Sequence, residues 1–160
     1  MQHMTDLEVL KATEAIRRVE ARYAFYADHK RWRDLARLFT EDGVFRPLDQ
    51  SGDELLRMTG REDISSSLAA HNSGDVQPIH QLFTHEIDIE SSTSARGVWA
   101  MADFIFRAEG STPVAGANDK VPAFKTMRGW GHYHVIYRKV NGLWLIADRV
   151  LTRTRLEYAY

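Results

Sequence analysis

The amino-acid sequence predicts an α+β fold in which N-terminal helices pack on one face of a strongly curved antiparallel sheet. Two observations predict it. Early in the chain apolar residues recur every three to four positions, whereas from Ile79 onward β-branched and aromatic residues gather in long segments separated by turn signals. Helices first and strands afterwards segregate into layers instead of alternating, which is the α+β pattern. With 160 residues, 44% of them hydrophobic, the chain is long enough for one buried core and too short for two, so residues 1–160 are expected to form a single domain.

Thr5 and Glu8 form a capping-box pattern, and Val9, Ala12, Ile16, Val19, Tyr23 and Tyr26 follow at spacings of three and four. That predicts an amphipathic helix of about six turns. A second, short helix is expected in HKRWRDLARLF, with Trp32, Leu35, Leu38 and Phe39 on its apolar side, followed by the turn signal EDG at 41–43. Residues 44–48 read as a short strand, 49–58 are polar and ambiguous, and Thr59 with Glu62 offers another capping box for a small helix ending near His71.

Long strands are expected over 79–90, 95–107 and 125–139, the third joined to a fourth by the Asn141-Gly142 hairpin turn. Residues 108–123 hold Gly, Ser, Pro, Asn and Asp and form the longest loop, a candidate lid or rim. Strand parity holds one conflict. His80 and Leu82 fall on the face opposite Ile87 and Ile89, which a bulge or a sheet buried on both sides would reconcile. In the last strand Leu143, Leu145, Ala147, Arg149 and Leu151 share a face, placing Arg149 among apolar residues.

Composition excludes several function classes. A net charge of -1, from 21 basic and 22 acidic residues, gives no footprint for nucleic acid or an anionic membrane. The absence of cysteine excludes disulfides, a thiolate nucleophile and cysteine metal sites. MQHMTDLEVLKATEAIRRVE lacks the apolar core of a signal peptide, and no later run approaches a membrane span, so a cytoplasmic location is expected. His132 and His134 share a strand face, but third and fourth ligands are not evident, and no metal is expected.

The chemistry is expected from Asp28, His80 and Arg149. A neutral imidazole is a base near neutral pH, a carboxylate on its other nitrogen fixes the tautomer, and an arginine stabilises the negative charge left when a proton leaves carbon. Tyr23 would donate a hydrogen bond to a substrate oxygen. Trp99, Phe104 and Trp130, with His132 and His134, are the expected wall of a pocket for a hydrophobic ring. Geometry raises an objection: five residues separate Tyr23 from Asp28, about 140° on an ideal helix, so the two do not face one pocket directly.

The runs RYAFYADHKRWRDLARLFTEDGVF, IHQLFTHEIDIESSTSARGVW and YRKVNGLWLIADR resemble the SnoaL-like branch of the NTF2-like superfamily, a cone-shaped α+β fold. The branch includes enzymes similar to scytalone dehydratase, lindane dehydrochlorinase and bile-acid 7α-dehydratase. The resemblance implies that Asp28 is the aspartate ending the first helix, His80 the histidine opening the first long strand, Arg149 a catalytic arginine and Tyr23 a pocket tyrosine. Trp99, Gly131 and Tyr133 depart from the scytalone dehydratase pattern. The implied activity is that of a cofactor-free lyase or isomerase acting on a small, apolar, cyclic substrate. The alternatives are a non-catalytic ligand-binding or subunit-association module, or the small subunit of a ring-hydroxylating dioxygenase.

Apolar residues at both parities, Trp144 and Ile146 against Leu143 and Leu145, imply burial of both sheet faces and hence a homo-oligomer. The resemblance favours a trimer over a dimer.

Overall fold

The structure, a computed structural model, describes residues 4–112, 121 and 123–160. Residues 113–120 and 122 of the expected lid lie outside the described residues. Helix α1, Asp6–Asp28, opens with the expected capping box: the Thr5 side chain accepts from the Glu8 amide, and the Glu8 carboxylate accepts from the Thr5 amide. Its buried positions Ala12, Ile16, Val19, Glu20, Tyr23 and Ala27 form one stripe, and one member of that stripe is a glutamate.

Helix α2 is shorter than expected, Trp32–Ala36, because Phe39 already belongs to strand β1, Phe39–Pro47. The EDG segment does not end an element. It becomes an irregularity inside β1, where the register shifts between Phe39 and Val44. Strand β2, Met58–Thr59, pairs with β1, so Thr59 is held in the sheet and does not cap helix α3, Arg61–His71. Gly60 takes the N-cap position with φ 82°, a left-handed conformation that suits glycine, and the Asp63 carboxylate accepts from the Thr59 amide at 2.8 Å.

Strands β3 (Gln77–Ile89), β4 (Ser94–Phe106), β5 (Thr126–Val140) and β6 (Leu143–Ala159) complete a six-stranded sheet of order β2-β1-β6-β5-β4-β3. Neighbours are antiparallel except β1 and β6, which run parallel, so the sheet is mixed. The parallel pair arises because α3 and the β3–β5 meander separate β1 from β6 in the chain. The sheet stays open, and the core lies between its concave face and the helices. No helix among the described residues is long and apolar enough to cross a membrane.

Register shifts bend the long strands and decide which side chains face inward. In β3 the shift falls between Leu82 and His85, so Pro78, His80 and Leu82 share the inner face with His85, Ile87 and Ile89. A bulge thus reconciles the parity conflict, and His85 stacks on the buried Trp99 with ring centroids 4.4 Å apart. Strand β6 carries two shifts, opposite Ile136/Tyr137 and opposite Trp130/Gly131. The first places Trp144 and Ile146, instead of Leu143 and Leu145, on the inner face with Arg149 and Leu151. Arg153 follows Arg149 and Leu151 inward by simple alternation, and the second shift, just after it, turns Leu156 inward as well.

The second bulge needs a residue without a side chain opposite it. A Cβ on Gly131 would overlap the Thr152 carbonyl oxygen, which is backbone and unable to swing away. Gly131→Ala is expected to destabilise the fold by about 1–3 kcal/mol or more, read as a lower midpoint in urea unfolding. A midpoint equal to wild type would show that the bulge is not constrained there.

Candidate active site

Asp28 is the last residue of α1, and His80 lies near the start of β3, against which α1 packs. The Asp28 Oδ1 atom accepts from the His80 backbone amide at 2.8 Å and lies 2.9 Å from His80 Nδ1. A carboxylate oxygen in that position fixes the Nδ1–H tautomer and leaves the Nε2 lone pair free. Gln77 holds the turn, its side chain donating to the Asp28 carbonyl at 3.0 Å. The helical objection is met because Asp28 stands behind His80, reaching sideways to β3, while Tyr23 lines the cavity. The Tyr23 and His80 rings meet edge to face, 6.3 Å apart.

Arg149 is fully buried but does not line the cavity. Its Nη1 donates to both oxygens of Glu20 at 2.9 Å, and its guanidinium lies between the rings of Tyr23 and Tyr133, 3.8 and 3.6 Å from their centroids. Glu20 also accepts from the Tyr137 hydroxyl at 2.6 Å, which in turn accepts from Trp99 Nε1 at 2.8 Å. Nε and Nη2 of Arg149 have no hydrogen-bond partner among the described residues. Burial alone would lower the Arg149 pKa, yet Glu20 and the neighbouring tyrosines raise it further above its ordinary value. The expected arginine is therefore charged and adjacent to the site, but two tyrosine rings separate it from the cavity.

The cavity has two chambers. The inner one, about 140 Å³, is lined by the polar groups of Tyr23, His80, Asp103, Tyr133 and Arg153 and by apolar side chains including Phe45, Met58 and Leu151. The outer one, about 280 Å³, is walled by Leu55, Val76, Phe124 and Leu156 among others. Both share Pro47, Leu56, His71, Asn72, Ile105 and Arg153. At the junction Arg153 grips Asp103 with both terminal nitrogens, Nη2 to Oδ2 at 2.8 Å and Nη1 to Oδ1. Burial works to raise the Asp103 pKa, but the charge and hydrogen bonds of Arg153, with a smaller contribution from His80, hold it below the ordinary carboxylate value.

Of the residues expected to form the pocket wall, only Trp99 is on the inner face, where it is buried and bonded to Tyr137. Phe104, Trp130, His132 and His134 project from the outer face, because β4 and β5 alternate and their inward positions are taken by Met101, Asp103, Gly129, Gly131 and Tyr133. Phe104 and Trp130 pack edge to face there, and His134 Nε2 lies 3.1 Å from the Thr152 hydroxyl. Among the described residues no cluster of three or more His, Asp or Glu side chains is placed to hold a metal ion.

Sequence reasoning missed Glu20, Asp103, Tyr133 and Arg153 as functional groups. Glu20 had a legible signal, a charge at the fourth position after Ile16 and the third before Tyr23 inside the apolar stripe. Asp103 shares strand parity with Trp99 and Met101. Arg153 had one too, since it continues the alternation of Arg149 and Leu151.

Residues 8–150 match the SnoaL-like domain. Among solved structures, the chain is similar to a scytalone dehydratase candidate from Novosphingobium aromaticivorans, with 23% identity, a TM-score of 0.77, and 98% of this chain and 93% of that one covered. A type 2 hexachlorocyclohexane dehydrochlorinase shares 15% identity at a TM-score of 0.74, covering 98% and 94% of the two chains. A candidate β subunit of an aromatic-ring-hydroxylating dioxygenase from N. aromaticivorans shares 15% identity at a TM-score of 0.71, covering 94% of each. At these identities the likeness is one of fold.

Two outcomes follow from the buried network. Glu20→Gln leaves the Arg149 cation without its counter-charge and is expected to cost about 3–5 kcal/mol in denaturant unfolding; a cost below 1 kcal/mol would contradict the pairing. Burial pushes the Tyr23 hydroxyl up to about 12 and holds Tyr133 and Tyr137 well above the ordinary tyrosine value. These hydroxyls keep their protons better folded than unfolded, so stability is undiminished below about pH 10 and falls as pH rises from there. Tyrosinate absorbance is expected to show these three ionising only with unfolding, whereas ionisation of all six tyrosines near pH 10 in a folded protein would refute it.

Proposed function

The chain belongs to the SnoaL-like domain family, and on that premise we propose that it is a cofactor-independent lyase or isomerase acting on an apolar cyclic substrate by proton abstraction from carbon. The observation that carries the reading is the contact of 2.9 Å between Asp28 and His80 at the wall of an apolar cavity. With Nδ1–H directed to Asp28, Nε2 takes the proton, and the carboxylate stabilises the imidazolium that forms. The electron pair left on carbon moves onto a neighbouring oxygen or expels a leaving group. The Tyr23 and Tyr133 hydroxyls are the neutral donors for the charge that develops, in a site where low polarity strengthens each hydrogen bond. Arg149 acts through the two rings it supports and does not touch the substrate. The apolar side chains exclude water, which favours elimination or a double-bond shift over hydrolysis.

The outer sheet face, which carries exposed Val98 and Ile136 as well as Phe104 and Trp130, supports a homo-oligomer, and the family resemblance favours a trimer over a dimer. Light scattering during gel filtration tests this; a monomer mass at micromolar concentration contradicts it.

The base is tested by exchange of the α-protons of cyclohexanone in D₂O, followed by proton NMR. His80→Ala is expected to slow protein-catalysed exchange by about 10²–10⁴-fold, and Asp28→Asn to slow it less, since it removes the orienting charge but keeps the imidazole. Equal rates in wild type and both variants would sink the catalytic reading and favour a non-catalytic binding module.

A further inference from the structure

Arg153 is the one arginine or lysine among the described residues lining the inner chamber, and it also lines the outer one. Its side chain is 8% exposed and that of its partner Asp103 10%, so both charges have been taken out of water at considerable cost. Gly129 is shaped around them: a Cβ there would overlap both Asp103 Oδ1 and Arg153 Nη1. Asp103 occupies one N–H on each terminal nitrogen, and the remaining N–H bonds of the five that a guanidinium carries have no partner among the described residues. A cation fixed in orientation, with donors to spare and set where two chambers meet, is built to receive an acceptor atom.

The charges around it decide what kind of acceptor. With His80 in its base form, Asp28 and Asp103 contribute two negative charges and Arg153 one positive at the inner chamber, while Glu20 and Arg149 cancel behind the tyrosines and Arg107, on the outer chamber, faces Asp75 at 3.9 Å. The inner chamber is net negative, which opposes a carboxylate or phosphate and favours a neutral oxygen such as a ketone. Once the proton has moved to His80 the cavity is balanced, so an oxygen at Arg153 gains charge as the surroundings lose theirs. Size decides the rest. The inner chamber, about 140 Å³, matches the ~150 Å³ cavity that accepts a single benzene ring. The outer chamber is twice that, and between the apolar side chains of Leu55, Val76, Phe124 and Leu156 it has room for a further ring.

Resting on the assignment of His80 as base, we infer that Arg153, positioned by Asp103, selects substrates in which a neutral carbonyl oxygen sits between a ring in the inner chamber and an apolar extension in the outer chamber. The oxygen accepts from the guanidinium, and no bond in the protein is made or broken there.

Binding of 2-phenylcyclohexanone, compared with phenylcyclohexane, which has the same shape without the oxygen, tests this by competition or calorimetry. The ketone is expected to bind about tenfold tighter or more. Arg153→Gln is expected to abolish that preference and His80→Ala to retain it. Because Arg153→Gln alone leaves a buried carboxylate unpaired, the double variant Asp103→Asn/Arg153→Gln removes both charges and provides a folded comparison with the same expected loss. Leu156→Trp, which narrows the outer chamber, is expected to weaken 2-phenylcyclohexanone at least about tenfold more than cyclohexanone. A preference retained without Arg153, or equal effects of Leu156→Trp on both ketones, overturns the inference. An Arg153-dependent preference in a protein that exchanges no α-protons would refute the base and leave the anchoring role standing; His80-dependent exchange without that preference does the reverse.

Discussion

The pairing of Glu20 with Arg149 is the interaction on which the rest of the structure depends. It joins the middle of α1 to β6 across the core, with both side chains fully buried. A lone charge in that position would cost several kcal/mol, so neither residue can be accommodated without the other. Their union fixes the helix on the sheet in both rotation and translation. Tyr23 and Tyr133 then close on the two faces of the guanidinium, and Tyr137 ties Glu20 to Trp99. Once α1 is held this way, its last residue, Asp28, arrives beside β3 within reach of His80. The geometry of the base is thus set two turns away from it.

Two acid–cation pairs share the concave face and serve different ends. Glu20–Arg149 lies behind the tyrosines and sets the frame, while Asp103–Arg153 lies at the junction of the chambers. Chain distance hides the exchange of roles, because Arg149 and Arg153 are four residues apart on one strand. Alternation puts both on the inner face, and the four-residue step between them carries Arg153 past the tyrosines into the cavity.

Much of the fold was legible because it follows from local rules. The capping box at Thr5, the α1 stripe, the hairpin at Asn141-Gly142 and the long strands each rest on a spacing that the backbone imposes. The Asp28–His80 contact came from family resemblance, while parity alone exposed the conflict in β3 without deciding between a bulge and a sheet buried on both sides. Parity failed in β6: a bulge at residues 147–148 reverses the faces of Leu143 and Leu145, and no residue type there announces it. The same limit explains Trp130, His132 and His134. Alternation tells which residues share a face, but not which face the helices cover, and small Gly129 and Gly131 gave no apolar signal that theirs was the inner one. Pairing of β1 with β6 in parallel was equally hidden, since it depends on how the sheet closes around α1 and not on either strand.

The central claim is that His80 presents a free Nε2 to the cavity because Asp28 holds its proton on Nδ1. Nitrogen-15 NMR of the imidazole side chains measures this most directly. The His80 ring is expected as the neutral Nδ1–H tautomer, with an unprotonated Nε2 resonance, and Asp28→Asn is expected to shift it toward a mixture of tautomers. A wild-type His80 present as the Nε2–H tautomer, with its lone pair on the nitrogen facing Asp28, would contradict the claim.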